Sequence, residues 1–181
     1  MTDPLKILGA DAPRYEDHPE FTPDLSPGAM LAAGVFGGGY FHGEDDDEIE
    51  DIDQSILDAG PHDLEPDDRA NNAFGARSGL SREEWRKRGW IDERDPLGWF
   101  QWYCRFHSGR RIDDDERQIA RWRDFRARWQ PKSEDALRRM NPGAGTRQAL
   151  LHWAIDPWLP EHGLGIDVGN GEDHGKEDPA L

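Results

Sequence analysis

The sequence predicts an all-α fold, a compact bundle of about five short helices with an extended N-terminal arm rich in proline and glycine and an acidic, disordered insert and tail. Three observations indicate this class. Capping residues stand before several segments whose apolar side chains recur every three or four positions, as in amphipathic helices. The connections between these segments are short, which favours antiparallel neighbours. Prolines and acidic runs prevent the rest of the chain from forming regular structure.

These patterns divide the chain into four regions. Residues 1–27 form an extended Pro-rich arm, because each of its five prolines interrupts backbone hydrogen bonding. Residues 28–80 form a docking segment with an acidic loop. Residues 81–158 form a helical core rich in tryptophan and arginine, and residues 159–181 form an acidic, flexible tail.

The docking segment begins with a predicted short helix. Ser26 caps it, Pro27 is its first residue, and it runs through Ala33 until Gly34 ends it. Four apolar residues then dock the segment on the core: Val35, Phe36, Tyr40 and Phe41. The acidic run at 44–53 is expected to be a loop or a disordered insert. Four apolar residues of this stretch predict one short helical turn: Ile49, Ile52, Ile56 and Leu57.

Capping signals predict the first two core helices. Ser81 opens a helix from Arg82 to about residue 88 that stops at Gly89. Asp95 is predicted to cap the next helix, with Pro96 at its first position, and this helix runs over 97–108.

Three further helices follow. Asp113 or Asp114 opens the third, which Pro131 closes and whose apolar stripe contains Ile119, Trp122, Phe125 and Trp129. Ser133 caps a fourth helix through Met140, and Thr146 caps a fifth that holds Leu150, Leu151 and Trp153.

The formal net charge of −16 is distributed unevenly along the chain. Residues 1–80 carry a net charge of −15, whereas residues 81–158 carry +4. Eighteen arginines against four lysines, with aspartate in excess of glutamate, favour adaptation to molar salt, where repulsion between surface charges is screened. The alternative is an ordinary acidic protein. The acidic balance disfavours nucleic acid as a partner without excluding it. We expect a cytoplasmic protein without a membrane span, because no segment is apolar over the length that a span requires. We expect no disulfide within the chain and no cysteine-rich metal site, because Cys104 is the single cysteine.

One motif resembles a family of hypothetical proteins. Its residues are Gly98-Trp99-Phe100-Gln101-Trp102-Tyr103-Cys104-Arg105-Phe106, Gly109-Arg110-Arg111, Asp115-Glu116-Arg117-Gln118-Ile119 and Arg121-Trp122. Shorter pieces extend the resemblance over residues 26–158: Gly34-Val35-Phe36-Gly37-Gly38 with Tyr40, Trp85 with Gly89-Trp90, Asp95-Pro96 and Arg147-Gln148-Ala149-Leu150-Leu151. The resemblance implies no activity, cofactor or catalytic residue. The sequence departs from the family pattern at His107, where a second aromatic is commoner, which weakens a catalytic role for this histidine.

The aromatic helix at 97–108 has two interpretations. A helix that is apolar all round is typical of the central helix of a bundle. Alternatively, its rings line a pocket in which an amide and a guanidinium bind a planar polar ligand. The residues predicted to bind on this helix are Trp99, Gln101, Trp102 and Arg105.

The arginines that follow this helix also have two interpretations. Arg110 and Arg111 stand before a helix start and form a candidate anion clamp. Alternatively, they pair with the acidic residues at 113–116. Arg117 and Arg121, on the polar stripe of the next helix, are further candidate contacts that could follow a nucleic-acid backbone.

The leading functional hypothesis is a binding module for an anionic, planar ligand such as a nucleotide. The alternatives are a protein-interaction subunit of a larger assembly and an enzyme of unassigned chemistry that uses Tyr103, Cys104 or His107. A nucleophilic role for Cys104 is disfavoured, because burial among aromatic rings raises the pKa of a thiol. No histidine or carboxylate spacing predicts a metal site.

Overall fold

The computed structural model describes residues 12–65, 72–129 and 141–158, together with Ala136 and Arg139. Over these residues the regular structure is entirely helical, with no strand, so the all-α prediction is confirmed. The elements are α1 (Pro27–Ala32), a 3-10 turn (Asp46–Glu48), α2 (Gln54–Asp58), α3 (Arg82–Lys87), α4 (Trp99–His107), α5 (Asp115–Trp129) and α6 (Ala144–His152). All of them belong to one compact unit, which includes the described residues up to Trp129 and those from Pro142 to Pro157.

Two helix starts follow the predicted capping chemistry. The Ser26 hydroxyl accepts a hydrogen bond of 3.2 Å from the Ala29 amide at the start of α1. The Ser81 hydroxyl accepts one of 3.3 Å from the Glu84 amide at the start of α3. Each serine therefore satisfies an amide that has no partner within its helix, and both predicted caps are confirmed.

Two other predicted caps are wrong. Helix α4 begins at Trp99, after Gly98 with φ 104°, and the Asp95 carboxylate binds arginines instead of capping it. Helix α6 begins at Ala144 after Gly143, so Thr146 lies inside its first turn. In both cases a glycine adopts the backbone conformation that starts the helix, and no side-chain cap is used. The fourth predicted helix, from Ser133, lies outside the described residues, as do the closing Pro131 and the acidic tail.

The acidic insert is ordered, in contrast to the disorder expected for it. Arg105 donates hydrogen bonds to the Asp51 carboxylate and to the Asp47 carbonyl of this insert. Ile52, Ile56 and Leu57 are buried in the core. The Asp53 carboxylate accepts a hydrogen bond of 2.8 Å from the Ser55 amide and caps α2. The predicted helical turn is therefore present, and it attaches the insert to the rest of the unit.

Helix α4 lies at the centre of the core. Each of its residues from Trp99 to Phe106 is buried, which confirms the prediction of a central helix. The ring of Phe21, from the predicted extended arm, is fully buried beside it. Its centroid lies 5.0 to 6.5 Å from those of five rings, namely Trp99, Trp102, Tyr103, Phe106 and Trp122. The arm therefore supplies a central core residue.

The helices are short. Within the described residues, none combines the length and the apolar character needed to cross a bilayer.

Candidate functional site

A cavity of about 660 Å³ opens beside the first turn of α4. Seven aromatic side chains line it: Phe36, Tyr40, Trp85, Trp99, Phe100, Phe125 and Trp153. Its volume lies within the range of about 300–1,000 Å³ that is usual for small-molecule sites. We refer to it as the aromatic cavity, and it is the candidate site.

Part of the wall is formed by rings packed around Phe36. The Phe36 centroid lies 4.4 Å from that of Tyr40 and 4.9 Å from that of Phe100. On another side, the His152 imidazole stacks on Phe36 at 4.9 Å and 24°. The Tyr40 hydroxyl donates a hydrogen bond of 2.8 Å to the Leu97 carbonyl, and burial raises the pKa of this phenol far above its usual range. This group therefore offers ring surface rather than a reactive hydroxyl.

The second part of the wall is packed around Trp153. Its centroid lies 4.9 Å from that of Trp99, 5.2 Å from that of Phe125 and 6.0 Å from that of Trp85. The Phe125 and Trp85 rings are inclined to Trp153 by only 17° and 26°. Trp85, Phe125 and Trp153 are half-buried, so ring surface remains accessible for a planar ligand to contact.

The described wall of the cavity has basic side chains but no acidic ones. Arg77, Arg82 and His152 line the cavity, and no aspartate or glutamate does so in this described part of the chain. A terminal nitrogen of Arg82 lies 2.9 Å from a carboxylate oxygen of Glu44, which stands outside the wall. Arg77 is exposed and forms no ion pair with any described carboxylate. The wall therefore presents at least one positive charge that has no counter-ion among the residues the structure describes.

Arg121 adds positive charge behind the aromatic wall. Its guanidinium carbon lies 5.0 Å from the Trp85 centroid and 5.6 Å from those of Trp90 and Trp153. Its Nη1 donates hydrogen bonds to the Trp90 carbonyl at 2.8 Å and to the Gln118 side-chain oxygen at 3.1 Å. Burial, reinforced by the charge of a neighbouring arginine, lowers the pKa of Arg121 to about 10, so it remains charged at neutral pH. Arg121 forms no ion pair with a carboxylate of the described residues, and cation–π contact with three indoles stabilises its charge instead.

The structure gives internal partners to the predicted ligand-binding residues on α4. The Trp102 indole nitrogen donates to the Asp115 carboxylate at 2.8 Å. The Gln101 amide nitrogen donates to the Glu48 carbonyl at 2.9 Å and to its carboxylate at 2.8 Å. The fourth α4 residue in the prediction, Trp99, borders the aromatic cavity, although its nitrogen also donates to a backbone carbonyl at 3.3 Å.

Arg105 is 5% exposed and binds the acidic insert. It donates to the Asp51 carboxylate at 2.5 Å, to the Asp47 carbonyl at 3.0 Å and to the Asp95 carboxylate at 3.2 Å. A further bond of 2.5 Å reaches the Arg94 carbonyl. The guanidinium therefore connects three segments of the chain and stabilises the ordered insert.

Three further arginines of the prediction form ion pairs and do not line the cavity, namely Arg110, Arg111 and Arg117. Arg110 donates two hydrogen bonds to Asp95, at 2.6 and 2.7 Å. Arg111 donates to Asp17 at 2.6 Å and stacks on the Phe106 ring at 3.8 Å. The expected pairing of both residues with the acids at 113–116 is wrong, because Asp95 and Asp17, which are distant in sequence, are the closer carboxylates.

Arg117 does pair with a neighbouring acid, donating to Asp114 at 2.5 and 2.8 Å. The structure thus distributes the eight predicted residues instead of gathering them around one opening. Trp99 lines the aromatic cavity and Arg121 lies behind it. The other six side chains are bound by partners within the chain, which does not favour ligand binding. Their role as ligand contacts stays a prediction.

Most residues of the cavity wall were not predicted as ligand contacts. Phe36 and Tyr40 were expected to pack the docking segment, which they also do. Trp85 was available as a signal, because it is the one apolar residue of an otherwise charged helix, whereas Trp153 follows the apolar pair Leu150 and Leu151 and resembles a core residue. Arg77 had no distinguishing pattern around it.

The groups considered for catalysis are buried or engaged. Burial raises the pKa of the Cys104 thiol well above its usual range and that of Tyr103 likewise, while the Tyr103 hydroxyl donates to the Leu25 carbonyl at 2.6 Å. His107 is hydrogen-bonded to the Tyr15 hydroxyl at 2.8 Å, and burial lowers its pKa. These environments do not favour a thiolate. Among the described residues, no three histidine, cysteine or acidic side chains group as a metal site.

His152 is an uncharged part of the cavity wall at neutral pH. Burial lowers its pKa to about 4, and the Val35 carbonyl opposes this shift only in part. Its ring is also held at 3.0 Å from the Gln148 side-chain nitrogen. The imidazole therefore contributes ring surface without adding charge to the cavity.

We expect His152 to make the protein acid-sensitive. The unfolded chain binds a proton at this residue near pH 6.5, whereas the folded protein binds it only near pH 4, so stability falls as the pH falls through this window. At about 1.4 kcal/mol per pH unit, the loss reaches about 3 kcal/mol between about pH 7.5 and pH 4. Urea unfolding of the wild type and of His152→Gln measures it. The variant should lose about 3 kcal/mol less than the wild type, and parallel pH profiles would contradict the assignment.

Comparison with protein-family models, curated proteins and solved structures finds no significant match to the chain, so the resemblance described above depends on its motifs alone.

Proposed function

We propose that the protein is a binding module for a small anionic ligand with a planar ring system, held in the aromatic cavity. The observation that carries this proposal is the composition of the described wall, which contains seven aromatic side chains, two arginines and no carboxylate. Aromatic rings stack on planar ligands, and guanidinium groups bind anionic oxygens. A nucleotide remains one member of this ligand class.

The charge of the wall is opposite to that of the protein. The chain carries a formal net charge of −16, yet the described residues around the cavity supply Arg77, Arg82 and, behind the rings, Arg121. A bound cation would find no carboxylate among the described residues of the wall, whereas an anion would find positive charge in surroundings of low polarity. This local reversal of sign supports an anionic ligand.

The two alternatives have less support. A protein-interaction subunit would use arginines as anchors, but Arg105, Arg110 and Arg111 are bound within the chain. An enzyme based on Cys104 would need a thiolate, and burial raises the pKa of this thiol. The cavity is therefore the feature on which a functional test should be based.

Ligand binding should be measurable through the tryptophans of the wall. We expect planar aromatic anions, including nucleotides, to quench tryptophan fluorescence saturably and to raise the unfolding temperature. Trp85→Ala should weaken the binding of such an anion about fivefold to tenfold, because a stacking contact contributes about 1 kcal/mol.

The matched control is Trp129→Ala. Trp129 is 38% exposed and does not line the cavity, so its replacement should leave the affinity unchanged. Equal losses in the two variants, or the absence of saturable binding by any planar anion, would refute the proposed function.

A further inference from the structure

Resting on the proposed function, we infer that the ligand of the aromatic cavity is a planar monocarboxylate and that Arg77 binds its carboxylate group. This narrows the class of ligand from anions in general to ring systems with a single negative charge. The inference depends on how many positive charges the wall leaves without a counter-ion.

One guanidinium of the wall has no counter-ion among the described residues. Arg82 is neutralised by Glu44 at 2.9 Å, and both side chains are partly exposed. His152 is uncharged at neutral pH, because burial lowers its pKa to about 4. Arg77 lies on the wall without an ion pair to any described carboxylate. One guanidinium suits one carboxylate, which it can bind through two parallel hydrogen bonds.

A more highly charged ligand would be poorly matched. A nucleoside triphosphate carries several negative charges, and of the described wall residues only Arg77 is available to neutralise them. The remainder of the charge would face a protein whose formal net charge is −16. Arg121 adds positive potential, but it does not line the cavity. It lies behind the wall, with its guanidinium carbon 5.0 Å from the centroid of the Trp85 ring.

The backbone that carries Arg77 is held by a side chain. The Asn72 amide nitrogen donates to the Ala76 carbonyl at 2.7 Å, and its oxygen accepts from the amides of Ala76 at 3.1 Å and Phe74 at 3.3 Å. The Phe74 amide also lies 3.3 Å from the side-chain oxygen of Gln148 on α6. These bonds place the base of Arg77 at a defined point of the rim, which lowers the entropy cost of binding.

Three naphthalene probes and a nucleotide test the inference by titration calorimetry. They are 2-naphthoate, its uncharged amide, naphthalene-2,6-dicarboxylate and adenosine triphosphate. The wild type should bind 2-naphthoate about tenfold more tightly than the amide, because a hydrogen bond to a charged group contributes more than a neutral one. It should bind neither the dicarboxylate nor the triphosphate more tightly than 2-naphthoate.

The decisive variant is Arg77→Gln. It should abolish the preference for 2-naphthoate over the amide while leaving the affinity for the amide unchanged. Arg77 is exposed and outside the core, so the variant should fold. Arg86→Gln, at an exposed arginine of α3 that does not line the cavity, is the matched control and should retain the preference.

The possible failures are distinguishable. Equal affinities of the wild type for 2-naphthoate and its amide would overturn the inference and leave the cavity as a site for planar ligands. Tighter binding of the triphosphate or the dicarboxylate would overturn the monocarboxylate class and retain an anion site. A preference that survives in Arg77→Gln would overturn the role of Arg77. Failure of every probe to bind would remove the proposed function together with the inference.

Discussion

Replacing Asp95 with asparagine should lower the free energy of unfolding by about 3–5 kcal/mol, the usual cost of removing one partner of a buried ion pair. The Asp95 carboxylate is 1% exposed and accepts hydrogen bonds from Arg105 at 3.2 Å and from Arg110 at 2.6 and 2.7 Å. Asparagine preserves the shape but removes the negative charge, so the buried Arg105 guanidinium would lose part of its compensation. Urea unfolding at neutral pH measures the loss.

Asp51→Asn is the matched control for this prediction. Asp51 also binds Arg105, at 2.5 Å, but its side chain is 41% exposed. Water can replace an exposed partner, so we expect a loss of less than about 1 kcal/mol. Similar losses in Asp95→Asn and Asp51→Asn would contradict the view that burial sets the strength of these contacts.

Asp95 also shows where prediction from the sequence reaches its limit. A serine cap needs only the amide three residues ahead, so Ser26 and Ser81 could be assigned from local sequence. An aspartate before a proline has the same local signal, but the carboxylate also attracts guanidiniums. Arg105 and Arg110, ten and fifteen residues away in the sequence, approach Asp95 only once the chain is folded. Tertiary electrostatics therefore decided its role.

The acidic insert was misjudged for a related reason. A run of carboxylates usually remains solvated, and composition alone gives no partner for it. The partner is Arg105, whose burial could be predicted from the aromatic helix but whose contacts with Asp47 and Asp51 could not. Charge patterns predict where counter-ions are needed, but the pairing depends on tertiary packing.

The candidate site could be predicted only in part. Helical spacing places side chains on the faces of one helix, and it correctly identified α4 as the aromatic centre. A cavity forms between elements, and this one combines residues from the segment after α1, from the loop before α3 and from α3, α4, α5 and α6. Trp99 could be predicted as a site residue because it belongs to the densest aromatic motif. Trp85 and Trp153 are distant in the sequence and come together only in the folded chain.

Phe21→Ala should be nearly as damaging as the loss of Asp95, at about 3–5 kcal/mol. The Phe21 ring is 0% exposed and lies between α4 and Trp122 of α5. Its removal would leave a cavity among five aromatic rings that cannot collapse without moving the central helix. Phe21→Leu fills most of that space and should cost about 1–2 kcal/mol.

Phe125→Ala provides a comparison at the same residue type. Phe125 is half-buried and already borders the aromatic cavity, so truncation there removes fewer contacts and should cost clearly less than truncation of Phe21. Urea unfolding of the three variants gives the order of losses, with Phe21→Ala the largest. The comparison also tests whether the predicted extended arm belongs to the cooperative core in solution. If Phe21→Ala unfolds with the same free energy as the wild type, the arm does not dock, and the core must be stable without it.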